Sequence, residues 1–450
     1  MTSSTDAPSE HFLIMRTRLP LRGELVVEGS KNAALPLVVA ASLMPNGGKL
    51  RNVPRVADLK AQIVLLKQLG AIARLKEGVL EITLADKGKT RELGTEALTS
   101  RGSVYVIAAA VLRGCRVAIP GIGGDRLLGR DLKRHLAVLR GFGLDVREQS
   151  AGLELSGRAP RAGLVHVNDR PGGITATALA LLIAAFCDGV SDLLGVSREP
   201  EVLELADYLR SAGVEIIEEE PNRLRVRGPP DRSPEAWSLS IDRVVFGTYA
   251  AAAVATGGYV RLPRPATASW SNIISPFVEA GCSIKEGSAH VEIEGPPRHA
   301  FSIVTGPFPM FPSDLGPPLI SMMAVAPGLC RLSETIYPDR FDHARELIRT
   351  GLRATINGAT LHVHGGANLM GGCWRATGIR ESAALVIAGL IHNGESQVLG
   401  ASALGRGYED LPAKLRHLGA QISDMRENGA MLPSFVPVGG PHDLKDEAWM

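Results

Sequence analysis

The chain has 450 residues, 49 of them Lys or Arg and 47 Asp or Glu, for a formal net charge of +2. A balance this even argues against bulk attraction to nucleic acid or to an anionic membrane surface. Apolar residues make up 45% and charged residues 21%, enough for two or three cored globular domains.

In chain order, the N-terminus MTSSTDAPSEHF lacks a basic-then-apolar signal pattern, and residues 1–11 are expected to form a disordered tail. SKNAALPLVVAASLMPNGGKLRNVP then reads as a buried, Ala-rich helix, a glycine turn and a short strand. LLKQLGAIARLKEGVLEIT follows as the end of an amphipathic helix, a closing glycine and two strands. Ala73, Leu75, Val79 and Glu81 are expected on one face of that hairpin.

This pair of motifs recurs. SRGSVYVIAAAVLRGCRVAIPG precedes VLRGFGLDVREQSAGLELSG, and GGITATALALLIAAFCDGVSDLLGV precedes YLRSAGVEIIEEEPNRLRVRG. VVFGTYAAAAVATGGYVRLP precedes FVEAGCSIKEGSAHVEIEG, and PSDLGPPLISMMAVAPGLCRLSE precedes LIRTGLRATINGATLHVHG. IRESAALVIAGLIHNGESQVLG precedes KLRHLGAQISDMRENGAMLP. The landmark glycines Gly70, Gly143, Gly213, Gly281, Gly351 and Gly419 lie 68 to 73 residues apart. A repeat this long favours small α/β domains over a solenoid, whose units usually run about 20 to 50 residues. Three repeats make a domain of ordinary size, and the proline-rich GPPDRSPEAWS at 228–238 marks the junction. The longest apolar runs, VIAAAVL and ALALLIAAF, fall short of the ~20 residues that span a bilayer.

Charged residues gather at the starts of the apolar helices: Lys31, Arg101, Asp314 and Arg380. Arg340 in YPDRFD, Arg406 in GRGYED and Arg130 lie in nearby loops. One arginine alone would pass for solvated surface charge. Repeated cations ahead of buried helices oppose the helix dipole, and a bound phosphate or carboxylate would reverse that sign. Asp314 in FPSDLGPP and Asp58 in PRVADLK are also ordinary helix-cap candidates. Asp125 in PGIGGDRLLGR has no capping context, since glycines crowd its N-terminal side.

The chain has no HExxH, no GxxxxGK[ST] and no strand-linked GxGxxG, so ATP, NAD and metal cofactors have no motif. His362 and His364 alternate on a strand without a third ligand. The cysteines Cys115, Cys187, Cys282, Cys330 and Cys373 are odd in number and widely spaced. That spacing fits neither a zinc pair nor a disulfide framework, and points to a reducing cytoplasm.

SKNAALPLVVAASLMP, REPEVLELADYLRSAG, FPSDLGPPL, DRFDHARELIR and GRGYEDLPAKLRHLGA together resemble the enolpyruvyl transferases, and most closely the UDP-N-acetylglucosamine 1-carboxyvinyltransferases. The resemblance runs over roughly residues 12 to 425. It implies an α/β fold of the EPSP-synthase kind, a two-domain inside-out α/β barrel of six βαβαββ repeats, three per domain. Repeats 1–3 would occupy 30–238. Residues 12–29 would join 239–450 through an N-terminal strand, with the active site in the cleft between the domains.

Residue roles follow from the same resemblance. Lys31 matches a catalytic lysine that contacts phosphoenolpyruvate. Arg130, Arg340, Arg380 and Arg406 match arginines that hold its phosphate and carboxylate or line the site. Asn32, Arg101, Arg170 and Ile336 match acceptor-binding positions, Arg170 standing where the family has a lysine. Asp314 matches the carboxylate at the reacting hydroxyl, the usual candidate base. Asp125 stands where most members have cysteine and some aspartate, and is expected to donate the proton. No cofactor and no metal is implied; the partners are phosphoenolpyruvate and a uridine-nucleotide acceptor.

The chain departs from the pattern in three places. DLR reads GIR, so an acid is replaced by Gly378. HIDRGY reads SALGRGY, with Ala403 and Gly405 in place of histidine and aspartate. DLKRH replaces the segment that borders the uracil. These changes keep two alternatives in view, transfer to the 3′-hydroxyl of UMP in nucleoside-antibiotic pathways and a non-catalytic binding paralogue. Fosfomycin alkylates the loop cysteine in most of the family, and a carboxylate is a far weaker nucleophile than a thiolate. Intact-mass spectrometry after incubation with modest fosfomycin should show no adduct on Asp125, and activity should survive.

Overall fold

A helix that is apolar on nearly every side must be shut away from water all round. The computed structural model describes residues 10–15, 20–84, 91–124, 132–150, 152–156, 159–167, 173–265, 267–366 and 369–426. In it, Lys31–Leu43, Ser103–Leu112 and Ile174–Phe186 pack together inside one compact unit. Arg243–Ala255, Ile320–Val325 and Ile379–Gly389 do the same inside the other. Arg243–Ala255 and Ile379–Gly389 are buried along their whole length. Among the described residues, the first unit holds 29–124 and 132–240, and the second holds 10–28 and 241–426. Each has its own hydrophobic core.

Six four-stranded sheets enclose these helices and share one strand order. In the first repeat, Trp237–Ser238 runs parallel to Gly48–Arg51. Gly48–Arg51 pairs antiparallel with Val79–Leu84, which forms a hairpin with Ala71–Lys76. The same order holds for Arg91–Glu92, Val117–Ile119, Gly152–Ser156 and Asp145–Gln149. It holds again for Leu164–His166, Gly189–Leu194, Arg223–Gly228 and Glu215–Glu220. A parallel pair needs a crossover, and in the second, third, fifth and sixth repeats the interior helix lies in the chain between the two parallel strands.

In the second unit the order runs Arg22–Glu24, Tyr259–Pro263, His290–Glu294, Ser283–Glu286. The next sheet is Ser302–Val304, Leu329–Ser333, Thr360–His364, Ala354–Asn357. The last is Cys373–Arg375, Glu395–Leu399, Glu10–Met15, Gln421–Arg426, so its third strand comes from the opposite end of the chain. That strand begins at Glu10, two residues inside the segment expected as a tail; residues 1–9 lie outside the described residues. Among the described residues the repeat is therefore βαβαββ, six times over, as the resemblance implied.

All six landmark glycines have positive φ, from +72° to +105°. Each follows an outer helix where a left-handed residue ends the turn. At Gly213 a side chain would also collide, because a Cβ would lie 2.1 Å from Asp231 Oδ1. The first hairpin corrects the expected face. A two-residue turn pairs Lys76 with Val79, so Ala73 and Leu75 face Ile82 and Leu80. Leu80, Ile82 and Leu84 are buried, whereas Glu81 is exposed.

The chain passes between the units at 28–29 and 240–241. In the second unit Asp242 N donates to Glu28 O at 2.8 Å, and the buried Glu28 carboxylate accepts from Tyr249 Oη, Glu409 N and Lys414 Nζ. In the first unit Ser30 N donates to Ser240 O at 2.8 Å. Among the described residues no helix is long and apolar enough to cross a membrane.

His343, on Asp342–Ile348, is buried, and neither ring nitrogen has a hydrogen-bond partner among the described residues. Burial first, then the charges of Arg340 and Arg345, pull its pKa down to about 3. The unfolded chain protonates it near ~6.5, so its contribution to stability is constant above that pH and declines as pH falls toward the folded value. At about pH 5 the loss is about 2 kcal/mol. In urea titrations, His343→Leu should narrow the gap in unfolding free energy between neutral pH and about pH 5 by that amount.

Candidate functional site

In the first unit, Lys31 occupies the first position of Lys31–Leu43, behind the N-cap Ser30, whose hydroxyl accepts from Ala33 N at 3.4 Å. A cation there opposes the helix dipole. The fold answers with a counter-ion. Lys31 Nζ lies 2.9 Å from Asp58 Oδ2, and both side chains are buried. Asp58 is therefore not the cap expected from PRVADLK. It sits in the first turn of Ala57–Gln68, whose cap position is Val56. Asn32 is half-buried beside Lys31 in the chain, and Arg101 is half-buried two residues ahead of Ser103–Leu112. Asp125, Arg130 and Arg170 lie outside the described residues.

The second unit gathers three of the expected residues around one carboxylate. Asp314 lies in the short turn Ser313–Leu315 and caps no helix, which corrects the alternative cap role. Its Oδ1 accepts from Arg340 Nη1 at 2.8 Å and its Oδ2 from Arg380 Nε at 3.3 Å. The two arginine side chains are 2% exposed and the aspartate 37%, so the carboxylate is the part of the cluster open to solvent.

Further bonds hold the cluster. Arg340 Nη1 also donates to Ser313 Oγ at 3.0 Å, and Arg340 Nε donates to Glu381 Oε1 at 3.3 Å. Ser313 Oγ donates to Glu334 Oε2 at 2.8 Å. Glu334 Oε1 accepts from Ile336 N at 2.8 Å and Tyr337 N at 3.0 Å, which anchors the loop leading to Arg340. Ile336 itself is half-buried. The Arg380 guanidinium lies 5.0 Å from the centroid of the Tyr408 ring, a cation–π contact. Its buried Nη1 has no hydrogen-bond partner among the described residues. Arg406 is half-buried and ends the turn Ala401–Arg406, two residues before Tyr408.

Burial alone would lower the affinity of both arginines for their protons. For Arg340 the charges of Asp314 and Glu381 outweigh it, and for Arg380 the neighbouring Tyr408 hydroxyl and the charges of Asp314 and Asp242 do, so both are pushed upward and remain cations. Burial pushes the thiols of Cys187 and Cys282 up to about 12, which removes them as nucleophiles. Among the described residues no group of His, Cys, Asp or Glu is placed to hold a metal ion.

Sequence reasoning missed Asp58, Glu334, Glu381 and Tyr408. Glu381 carried a usable signal, being a lone acid in a helix otherwise apolar enough to be interior. Gly378, where the resemblance leads to an acid, is the extended residue before Ile379–Gly389 and offers no side chain.

A carboxylate held by two buried arginines within six βαβαββ repeats defines a class that comparison with known proteins specifies. The family model described as EPSP synthase (3-phosphoshikimate 1-carboxyvinyltransferase) matches residues 15–415. UDP-N-acetylglucosamine 1-carboxyvinyltransferase of Trichlorobacter lovleyi is 32% identical over 416 residues, 92% of this chain and 99% of the relative. The protein of that name from Sorangium cellulosum is 33% identical over 407 residues, 90% and 96% of the two chains. Among solved structures, the enolpyruvyl transferase NikO of Streptomyces tendae superposes with a TM-score of 0.80 at 22% identity, over 95% of this chain and all of that one. EPSP synthase of Acinetobacter baumannii gives 0.70 at 15%, over 92% and 99%. The chain belongs to the EPSP synthase family and is an enolpyruvyl (carboxyvinyl) transferase.

Removing one member of a buried ion pair strands the other charge. Asp58→Asn should lower the urea-unfolding free energy by about 3 kcal/mol, and adding Lys31→Met should restore most of it.

Proposed function

We propose that this chain moves the enolpyruvyl group of phosphoenolpyruvate onto a hydroxyl of UDP-N-acetylglucosamine, by addition and elimination, and releases phosphate. The observation that carries this reading is Asp314, a half-exposed carboxylate oriented by two buried arginines, in a chain whose curated relatives bear that activity in their names. In the addition, the acceptor oxygen bonds to C2 while its proton passes to Asp314. Asp125 delivers a proton to C3, and a tetrahedral phospholactoyl intermediate results. In the elimination, C3 returns a proton, the double bond reforms and the C2–O bond to phosphate breaks.

Phosphoenolpyruvate carries about three negative charges, so several cations must converge on it. We assign this to Lys31, Arg130, Arg340, Arg380 and Arg406. The unpartnered Nη1 of Arg380 is a donor ready for such an anion. Asn32, Arg101, Arg170 and Ile336 are assigned to the acceptor. The setting is proposed to be the cytoplasm, in peptidoglycan synthesis.

A second reading, transfer to the 3′-hydroxyl of UMP in nucleoside-antibiotic synthesis, draws on Gly378, Ala403 and Gly405, where side chains of the family pattern are missing. One assay separates the two. The protein is incubated with phosphoenolpyruvate and, in turn, UDP-N-acetylglucosamine, UMP and shikimate 3-phosphate, and phosphate release is followed. Release with the UDP-sugar is expected; release with UMP alone would move the assignment to the nucleotide. Asp314→Asn and Asp125→Ala should each lower kcat by about 100-fold or more. Near-normal turnover in either would place that proton transfer elsewhere.

A further inference from the structure

Glu381 is a carboxylate on Ile379–Gly389, a helix buried along its whole length. Its side chain is 6% exposed, and its Oε1 accepts from Arg340 Nε at 3.3 Å. Its Oε2 is buried and has no hydrogen-bond partner among the described residues. A carboxylate kept in such a place without full satisfaction is a burden on stability unless its charge is used. Gly378 leaves the start of the same helix without an acid, so Glu381, near one turn further on, is the carboxylate this helix brings to Arg340.

Two consequences follow from the geometry. The guanidinium is planar with donors in fixed directions, so a partner at Nε sets the plane and hence the direction of Nη1. Nη1 is the nitrogen that holds Ser313 and Asp314. The second consequence is electrostatic. Asp314 faces two guanidinium groups, and two unopposed cations beside one carboxylate make it a poor acceptor of protons. Glu381 sets a negative charge against Arg340 from the Nε side and offsets part of that effect. Among the described residues, Arg380, Glu334, Tyr337, Tyr408 and Asp242 are the further charged and titratable groups named around the cluster, with His343 uncharged near Arg340.

We infer that Glu381 is a positioning residue for the transfer, which fixes the plane of Arg340 and offsets enough of its charge for Asp314 to take the acceptor's proton. This rests on the reading of Asp314 as the base.

The test uses the full-length enzyme with phosphoenolpyruvate and the acceptor that supports phosphate release. Glu381→Gln keeps an oxygen for Arg340 Nε but removes the charge. Its acid limb in the pH profile of kcat should move down by about one pH unit and its plateau kcat should fall about tenfold, with KM for phosphoenolpyruvate little changed. Glu381→Ala should in addition raise that KM about tenfold, because Arg340 loses its fixed plane. Glu381→Asp, which keeps the charge, should restore the wild-type position of the acid limb and serves also if the glutamine variant folds poorly. A glutamine variant with the wild-type limb and kcat overturns the inference and leaves the base assignment standing. Turnover retained in Asp314→Asn overturns the base assignment, and the inference falls with it.

Discussion

The structure depends on sealing six helices that have almost no polar side. Arg243–Ala255 and Ile379–Gly389 expose nothing along their length, and Ile174–Phe186 nearly nothing. No sheet covers such a helix alone, so each repeat adds its four strands to a shared wall around three helices. The wall consumes even distant chain: Glu10–Met15 fills the third place in the last sheet, and Trp237–Ser238 the first place in the first. With the helix flanks closed, polar chemistry is confined to the ends and to the loops entering them.

That confinement explains why the charges come in compensated groups. Lys31 would be unfavourable at a helix start inside a dry unit, and Asp58 makes it tolerable. Arg340 is more deeply enclosed and needs more partners, which come from three separate stretches: Ser313 and Asp314, Glu334 through Ser313, and Glu381. These bonds fix the direction of both arginines, and fixed charges are the kind most effective in catalysis.

Much of this could be read from the residues. The period of about seventy, the left-handed glycines and the apolar helices were visible, because each reflects local backbone geometry or one-dimensional patterning. Asp314, Arg340 and Arg380 stood out as charges next to apolar runs, and the fold brings them within hydrogen-bond reach of one another. The buried face of the first hairpin was misread at Val79 and Glu81, since a two-residue turn sets the register and the sequence alternates weakly there. Asp58 passed for a cap because a helix start is where aspartate most often has a local use.

The sequence by itself determined the repeat, its two helices and about four strands, and the residues worth suspecting, since periodicity, glycine placement and isolated charge are properties of the chain read in one dimension. Tertiary structure alone decided the partnerships. That Lys31 belongs to Asp58, that Asp314 is shared by two arginines, and that Glu381 faces Arg340 from 41 positions away are matters of long-range contact. The energy of such pairs comes from burial and from distances of a few ångströms, and neither exists until separate repeats have packed.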